Sequence, residues 1–408
     1  MRIVYLHQYF VTPEMPGGTR SYEMARRLVE AGHQVDLLTT DRGASESGWR
    51  VSKHAGIRVH WAGIPYSNHM SYGKRVGAFC RFAWHAARRA ITLDADVVFA
   101  TSTPLTIALP AVYASRRLQV PMVFEVRDLW PEVPIAIGAL ASRSSIAAAR
   151  RLERFAYDNA AHIVALSPQM KDGVVEAGVA AKNVTVIPNS CDADRFHVGP
   201  QPGQALRKEL PWLGDRPMIL YAGTLGIANG VEYLARVAAA IRPMLPEARF
   251  VVVGGGRQRD HVRAVAADLG VLDETFFMFD QVPKRRVSAF FSAADMATSL
   301  FLPLPSLWKN SANKFFDALA ASKPVAINYG GWQAKVLDQT GAGCVLDPHD
   351  TGAAAARIAS ALQDQAWLRN AGSASHRLGA ERYDRNFLAD KLENVLVRAA
   401  RGESLIAA

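Results

Sequence analysis

With only three cysteines in 408 residues, Cys80, Cys191 and Cys344, all far apart, the chain has no material for a disulfide framework or a paired-cysteine metal site. A reducing compartment fits that scarcity. No run of about 18 apolar residues is free of charge, which excludes a membrane-spanning helix on length. The opening Met1-Arg2-Ile3-Val4-Tyr5-Leu6-His7 is too short for the apolar core of a secretion signal, so a cytoplasmic protein is expected. Also missing are a Gly-x-Ser-x-Gly elbow, an HExxH helix and a P-loop, which leaves hydrolase, zinc-protease and ATPase readings without local support. Glycine (30) and proline (21) are near ordinary usage, which excludes collagen-like or low-complexity architecture. Acidic residues are comparatively few: 37 Asp and Glu against 47 Lys and Arg give a formal charge of +10, a balance that favours anionic partners.

What is present is a globular composition, 50% hydrophobic and 21% charged, in a chain long enough for two domains. Short apolar runs at 2–7, 35–39, 96–100, 122–126, 162–166 and 184–187 read as buried parallel strands. They alternate with amphipathic helical stretches at 21–30, 72–90 and 144–160. Between 199 and 217 the periodicity lapses into Gly199, Pro200, Pro202, Gly203, Pro211, Gly214 and Pro217, which reads as a linker. A second alternation follows, with strands near 218–222, 250–253, 276–279, 296–299, 325–328 and 343–346. The expected fold class is α/β: two Rossmann-like, doubly wound parallel-sheet domains, 1–198 and 218–384, facing a central cleft. A last helix from 385 is expected to pack back on the first domain.

In such sheets ligands sit beyond the carboxyl ends of the strands, where helix N-termini present free N–H groups. Four segments fall there. Gly17, Gly18 and Arg20 lie between the first strand and the first helix; the glycines permit close approach of a diphosphate, and a cation at a helix start, working against the dipole, needs a reason of its own. Arg127, Asp128 and Glu132 follow the strand at 122–126 and form the densest charge cluster of the first half, although Arg127 and Asp128 pairing to cap the loop is also consistent. Gly223, Thr224 and Asn229 line a glycine-rich turn after the strand at 218–222. Asn313, Lys314 and Asp317 open a helix after a polar loop: Asn313 or Ser311 can cap it, Lys314 adds charge at its N-terminus, and Asp317, one turn along, can accept two vicinal ribose hydroxyls. Asp94-Ala95-Asp96 and Asp192-Ala193-Asp194 invite a metal reading, but the first precedes its strand and the second is ordinary turn chemistry. His7 fits a buried, satisfied histidine at a strand end.

The order of these motifs resembles the family 4 glycosyltransferases along most of the chain. Gly17-Gly18, Ile187-Pro188-Asn189 with Asp192, Gly223, Val253-Gly254-Gly255-Gly256, and Asp317-Ala318-Leu319-Ala320 with Pro324-Val325 carry the resemblance. His7-Gln8-Tyr9-Phe10, Arg127-Asp128-Leu129-Trp130-Pro131-Glu132, Tyr221-Ala222-Gly223-Thr224 and Asn313-Lys314-Phe315-Phe316-Asp317 look like the WbuB-type fucosamine transferases of bacterial surface polysaccharide assembly.

The resemblance implies a glycosyltransferase B-type fold. A nucleotide diphosphate sugar, with UDP the family-weighted base, would bind the second domain. The acceptor, a glycan or a sugar on a polyprenyl diphosphate, would bind the first. Transfer would retain the anomeric configuration and need no metal or other cofactor. Lys309 and Asp317 stand where the family usually has two glutamates, Thr224 and Asn229 where many members have an arginine and a lysine, and Arg127 where many have a histidine; Lys314 and Arg20 are the replacement cations for the diphosphate. A nucleotide-sugar epimerase of the same architecture and an inactive nucleotide-sugar-binding subunit are the alternatives. Nucleic acid is not an expected partner, since no binding motif is present and the charges are scattered. A lipid-linked acceptor would put the protein at the inner membrane face, and the basic, aromatic run from Lys74 to Arg89 reads either as a peripheral membrane helix or as a core helix with solvated arginines.

Overall fold

The computed structural model describes every residue except Pro16, 45–47, 68–69, 137, 139 and 404–408, and only the backbone of Tyr72, Asp194, Lys284 and Arg285. The chain divides into two compact units, Met1–Pro188 with Asn386–Ala408, and Asn189–Arg385.

The first unit is built on β1 (Arg2–Leu6), β2 (Gln34–Asp41), β3 (Trp49–His54), β4 (Ile57–Gly63), β5 (Val97–Thr101), β6 (Met122–Val126), β7 (His162–Ala165) and β8 (Val184–Val186). They pair in the order β3-β4-β2-β1-β5-β6-β7-β8, parallel except for the β3–β4 hairpin. Continuous apolar runs such as 97–100 in β5 form the central strands because helices cover both faces, so alternation would leave polar side chains buried. One face packs on helices Tyr72–Ala90, Ala108–Leu118 and Arg143–Asp158. The other packs on Arg20–Glu30 and on the last helix, Arg385–Ala400. Leu388, Leu392 and Leu396 of that last helix recur at a four-residue spacing and are 1%, 0% and 0% exposed against Ile3, Tyr5 and Leu37, a burial worth about 1.5–3 kcal/mol for each leucine.

The second unit carries β9 (Met218–Ala222), β10 (Arg249–Val253), β11 (Phe276–Phe279), β12 (Met296–Ser299), β13 (Val325–Ile327) and β14 (Gly343–Val345), all parallel, in the order β11-β10-β9-β12-β13-β14. The segment read as a linker, 199–217, contains the helix Gln201–Glu209, which packs inside this unit. A Cβ on Gly203 would meet the backbone of Ser292 and Ala293 at 2.6 Å, so this glycine serves helix-to-helix contact rather than chain flexibility.

Both sheets reverse their strand order once near the middle, between β1 and β5 in the first and between β9 and β12 in the second. These reversals open a crevice beyond the carboxyl ends, and the loops there decide what each unit binds.

Candidate active site

In the first unit, three loops converge at the reversal. His7 and Gln8 follow β1, Ser102 and Thr103 follow β5, and Arg127 and Asp128 follow β6. The Arg127 backbone N–H donates to Ser102 Oγ at 2.9 Å, and Thr103 Oγ1 donates to Asp128 Oδ2 at 3.1 Å. Thr103 holds this position at a φ of 92°, a conformation that costs a β-branched residue about 1–3 kcal/mol and that the surrounding structure must offset. Burial pushes the Asp128 carboxyl above its ordinary range, with Arg127 opposing. Burial, then Arg127 and Arg42, hold the His7 imidazole well below its usual value, so it is neutral, and its Nδ1 is buried with no hydrogen-bond partner among the described residues. Glu132 opens the short helix Glu132–Ala136; its charge adds to burial in lifting Glu153, on the neighbouring helix, to about 7. Gly17 adopts a φ of 135° in an exposed turn beside Val11, and Gly18 is exposed next to it; Pro16 of the same loop lies outside the described residues.

Arg20 does not have the role the sequence suggests. Its guanidinium is buried: Nε and Nη2 donate to Glu125 Oε1 at 3.0 and 2.9 Å, Nη1 to the Pro188 carbonyl at 2.5 Å, and Nη2 also to the Ile187 carbonyl at 2.9 Å. Thr101 Oγ1 satisfies the other carboxylate oxygen of Glu125 at 2.6 Å. Burial alone would raise Glu125, but Arg20 and then Arg127 hold it below its ordinary range. The cation at the helix start therefore answers a buried carboxylate on β6 and ties the end of the unit at Pro188 to the sheet, which engages four of its five N–H donors and keeps the guanidinium buried.

In the second unit the glycine turns after β9 and β10 pack backbone on backbone. Gly223 N–H donates to Val253 O at 2.9 Å, Leu225 N–H to Gly255 O at 2.9 Å, and Gln258 N–H to Leu225 O at 2.9 Å. A Cβ on Gly254 would stand 2.0 Å from Gly223 O, so no larger residue fits this approach. Lys314, in the first turn of the helix Asn313–Ala320, runs across the β9 turn: a Cβ on Gly223 would lie 2.3 Å from its Cε, and its Nζ stands 5.3 Å from the centroid of the Tyr221 ring. The Tyr221 hydroxyl donates to Thr224 O at 2.7 Å and fixes that turn. Burial lowers the Lys314 ammonium to about 8, with Asp317 opposing. Burial likewise raises Asp317 to about 6; Arg385 opposes, Asp192 adds to the rise, and Lys314 opposes.

The remaining second-unit candidates hold the rim of this arrangement. Asn229 ends a tight turn, Ile227–Asn229, with its Nδ2 directed to Leu300 O at 3.5 Å, and the Leu302 N–H donates to Ala228 O at 3.0 Å, joining the loops after β9 and β12. Thr224 and Asn313 are exposed. The expected side-chain cap is not made: Ala312 occupies the capping position, while Ser311 Oγ accepts from the Asn189 N–H at 3.0 Å. No side chain among the described residues therefore caps the start of that helix beside Lys314, where Phe315 N–H turns back to the Ala312 carbonyl at 3.1 Å. Of the two Asp-x-Asp matches, Asp94 and Asp96 both pair with Arg2, and Asp192 faces Arg195 and Arg385; the Asp194 side chain lies outside the described residues.

The structure thus brings together Gly223, Lys314 and Asp317, with Thr224 and Asn229 nearby, and separately Arg127 and Asp128. It adds Tyr221, Asp192 and Arg385 to the Lys314 group of the second unit and His7, Ser102 and Thr103 to the Arg127 group of the first unit. Tyr221 had a signal, its place at the end of an apolar strand before the glycine turn, whereas Arg385 is distant in sequence and had none. Chemically, the Lys314 group offers a cation, a helix start without a side-chain cap and a carboxylate one turn away, a set suited to an anion attached to a vicinal diol.

Comparison with known proteins gives one family match in each half of the chain. Residues 17–190 match a glycosyl transferase 4-like domain and residues 203–380 a domain of glycosyl transferases group 1. The provisionally named colanic acid biosynthesis glycosyl transferase WcaI of Escherichia coli (strain K12) is 25% identical over 295 residues, 67% of this chain and 71% of that one. The GDP-mannose-dependent alpha-(1-6)-phosphatidylinositol monomannoside mannosyltransferase of Mycobacterium tuberculosis (strain ATCC 25618 / H37Rv) is 26% identical over 406 residues, 94% of this chain and 95% of that one. Among solved structures, Anabaena Alr3699/HepE in complex with UDP-glucose superposes with a TM-score of 0.72 at 17% identity, covering 97% of this chain and 99% of that chain.

Proposed function

From the premise that the chain belongs to the family 4 glycosyltransferases, with the two-domain B-type fold, we propose that it is a retaining transferase of bacterial surface polysaccharide assembly. It moves a sugar from a nucleotide diphosphate donor to a glycan or polyprenyl-diphosphate-linked acceptor. The observation that carries the donor half is the placement of Lys314 and Asp317 on one helical turn under the Gly223 loop, where a diphosphate and a ribose diol are matched by charge and hydrogen bonding. The similarity to WcaI supports the polysaccharide role. One relative is named as GDP-mannose-dependent, so the base is open between GDP and UDP, and UDP is the first donor to test.

In the proposed reaction the bond from the anomeric carbon to the diphosphate oxygen breaks, and the acceptor oxygen bonds to that carbon on the same face. The departing diphosphate takes the acceptor proton. Charge develops on the diphosphate, so within the second unit the residues with most influence on rate are those that would meet it there: Lys314 and the N–H groups at the start of its helix. Arg127 and Asp128, with Glu132, orient the acceptor hydroxyl.

Thermal shift of the purified protein against UDP, GDP, ADP, NAD and their sugar conjugates tests the donor assignment, because a ligand bound only by the folded state raises the midpoint. A shift with one nucleotide, followed by a transfer product of unchanged anomeric configuration, is the expected result. No shift with any nucleotide would remove the donor site, and interconversion of the sugar nucleotide without an acceptor would replace transfer by epimerisation.

A further inference from the structure

The two adjoining helices that cover one face of the first sheet turn an unusual surface outward. On Tyr72–Ala90 the buried side is Ala78, Phe82, Ala86 and Ala90, in the core with the strands. The opposite side carries Lys74, Arg81, Trp84 and Arg88, all exposed, with Trp84 63% exposed and the Arg88 guanidinium 5.6 Å from its ring centroid. The neighbouring helix Ala108–Leu118 repeats the pattern: Leu109 and Tyr113 are each 44% exposed and Arg117 follows on the same side. Neither helix contains an acidic residue. Arginines that only solvate a core helix explain the charge but not an indole and a leucine held out in water beside it.

We propose that this two-helix face docks the protein on an anionic lipid bilayer, with Trp84, Leu109 and Tyr113 entering the headgroup boundary and the lysine and arginines meeting the negative surface. Charge complementarity selects this occupant. A net charge of +10 with an acid-free, amphipathic face matches a negatively charged surface, whereas a second copy of the chain would bring the same positive face against it. The location is consistent as well. Helix Ala108–Leu118 begins a few residues after Thr103, whose hydroxyl holds Asp128, so the apolar end of the face lies at the same sheet edge as the acceptor-side cluster. The inference rests on the surface itself; the transferase reading supplies only a reason for it, an acceptor carried by a lipid.

Sedimentation of the full chain with vesicles of phosphatidylcholine alone, or with a third phosphatidylglycerol, tests this. Binding to the anionic vesicles, released at high salt as screening shortens, is expected. Each basic residue at such a surface is worth about 1 kcal/mol, or roughly fivefold in affinity, so the double variant Arg81→Glu/Arg88→Glu should bind at least about twentyfold more weakly. Trp84→Ala should weaken binding to both salt-washed and low-salt samples, since its contribution is apolar. All three side chains are exposed, so an unchanged unfolding midpoint verifies that the variants are folded, and nucleotide thermal shift on the same samples reports the donor site independently. No sedimentation with either vesicle, equal binding to both, unchanged binding of the double variant, or self-association abolished by these substitutions would overturn the proposal.

Discussion

Replacing Gly223 by alanine separates the function of the donor loop from its stability. The added methyl would stand 2.3 Å from Lys314 Cε and 3.2 Å from its Cδ and Nζ, while no backbone atom is among its nearest contacts. The far end of a lysine can swing aside at little cost, and the φ of 157° at Gly223 adds some backbone strain for any side chain, so the unfolding midpoint should fall slightly while the ammonium leaves its place over Tyr221. A hydrogen bond to a charged group contributes about 1.5–3 kcal/mol, which converts to roughly 10- to 150-fold weaker binding of the nucleotide diphosphate. Titration calorimetry with UDP, or with whichever nucleotide the thermal-shift panel selects, measures that loss. The double-mutant cycle gives it meaning: in a Lys314→Ala background, Gly223→Ala should cost nothing further in affinity, because the interaction it disturbs is already gone. Gly254→Ala is the contrasting substitution. Its methyl would meet the Gly223 carbonyl oxygen at 2.0 Å, backbone against backbone, so it should lower the unfolding midpoint as well as affinity. Undiminished nucleotide affinity in Gly223→Ala would refute the assignment of Lys314 to the diphosphate, and an additive loss in the double variant would place the effect of the methyl elsewhere.

Affinity for a sugar nucleotide, whose esterified diphosphate does not itself titrate near neutrality, should be greatest between about pH 6 and 8, where Asp317 is ionised and Lys314 protonated. Asp317→Asn should remove the acidic limb of that profile and Lys314→Ala the alkaline one, in calorimetric titrations across pH. The same two groups have opposite signatures in the ligand-free protein. The folded state retains a proton on Asp317 up to about 6, so its contribution to stability falls as pH rises from about 4 to 6; it releases the Lys314 proton from about 8, so stability rises from there toward 10.5, which midpoints measured against pH would record for the wild type but not for the matching variants. Arg20→Ala strands the Glu125 carboxylate in the core and should cost about 3–5 kcal/mol in urea unfolding; a loss below about 1 kcal/mol would mean that the pair is not locked and would return Arg20 to the list of phosphate ligands. Arg127→Ala should lower turnover while leaving donor affinity intact, since Arg127 acts in the first unit beside Asp128; steady-state kinetics with the donor varied separates the two, and a matching loss of donor affinity would move Arg127 out of the acceptor assignment.

The parts of the fold that are legible in the sequence are those decided by burial alone. Strands at 122–126, 218–222, 276–279 and 296–299 and the helix at 72–90 lie where the apolar pattern puts them, because an element covered on both faces or on one stripe has little freedom in composition. The hairpin β3–β4 is the contrary case. Its edge strand is charged and largely exposed, as at Arg50 and Lys53, and its two-residue turn, Ala55 and Gly56 at φ of 46° and 82°, puts an alanine in a left-handed position where Asn, Asp or Gly would have announced the turn. Proline and glycine between 199 and 217 read as punctuation for a similar reason: Pro202 sits in the first turn of a helix, where it costs nothing, and Gly203 is needed by a neighbour far along the chain.

The site follows the same rule. That Lys314 and Asp317 lie together is legible from local spacing, since a helix turn brings them together whatever surrounds it, whereas the pairing of Arg20 is not, because it depends on Glu125, 105 residues away. A charge at a helix start has two readings, a ligand contact or a buried partner, and only the three-dimensional pairing chooses between them. Under the proposed donor assignment, with Arg20 held inside the first unit by Glu125 and two backbone carbonyls, Lys314 is the cation that would meet the diphosphate, and Lys314→Ala should weaken nucleotide binding by the full charge-assisted contribution that titration calorimetry measures.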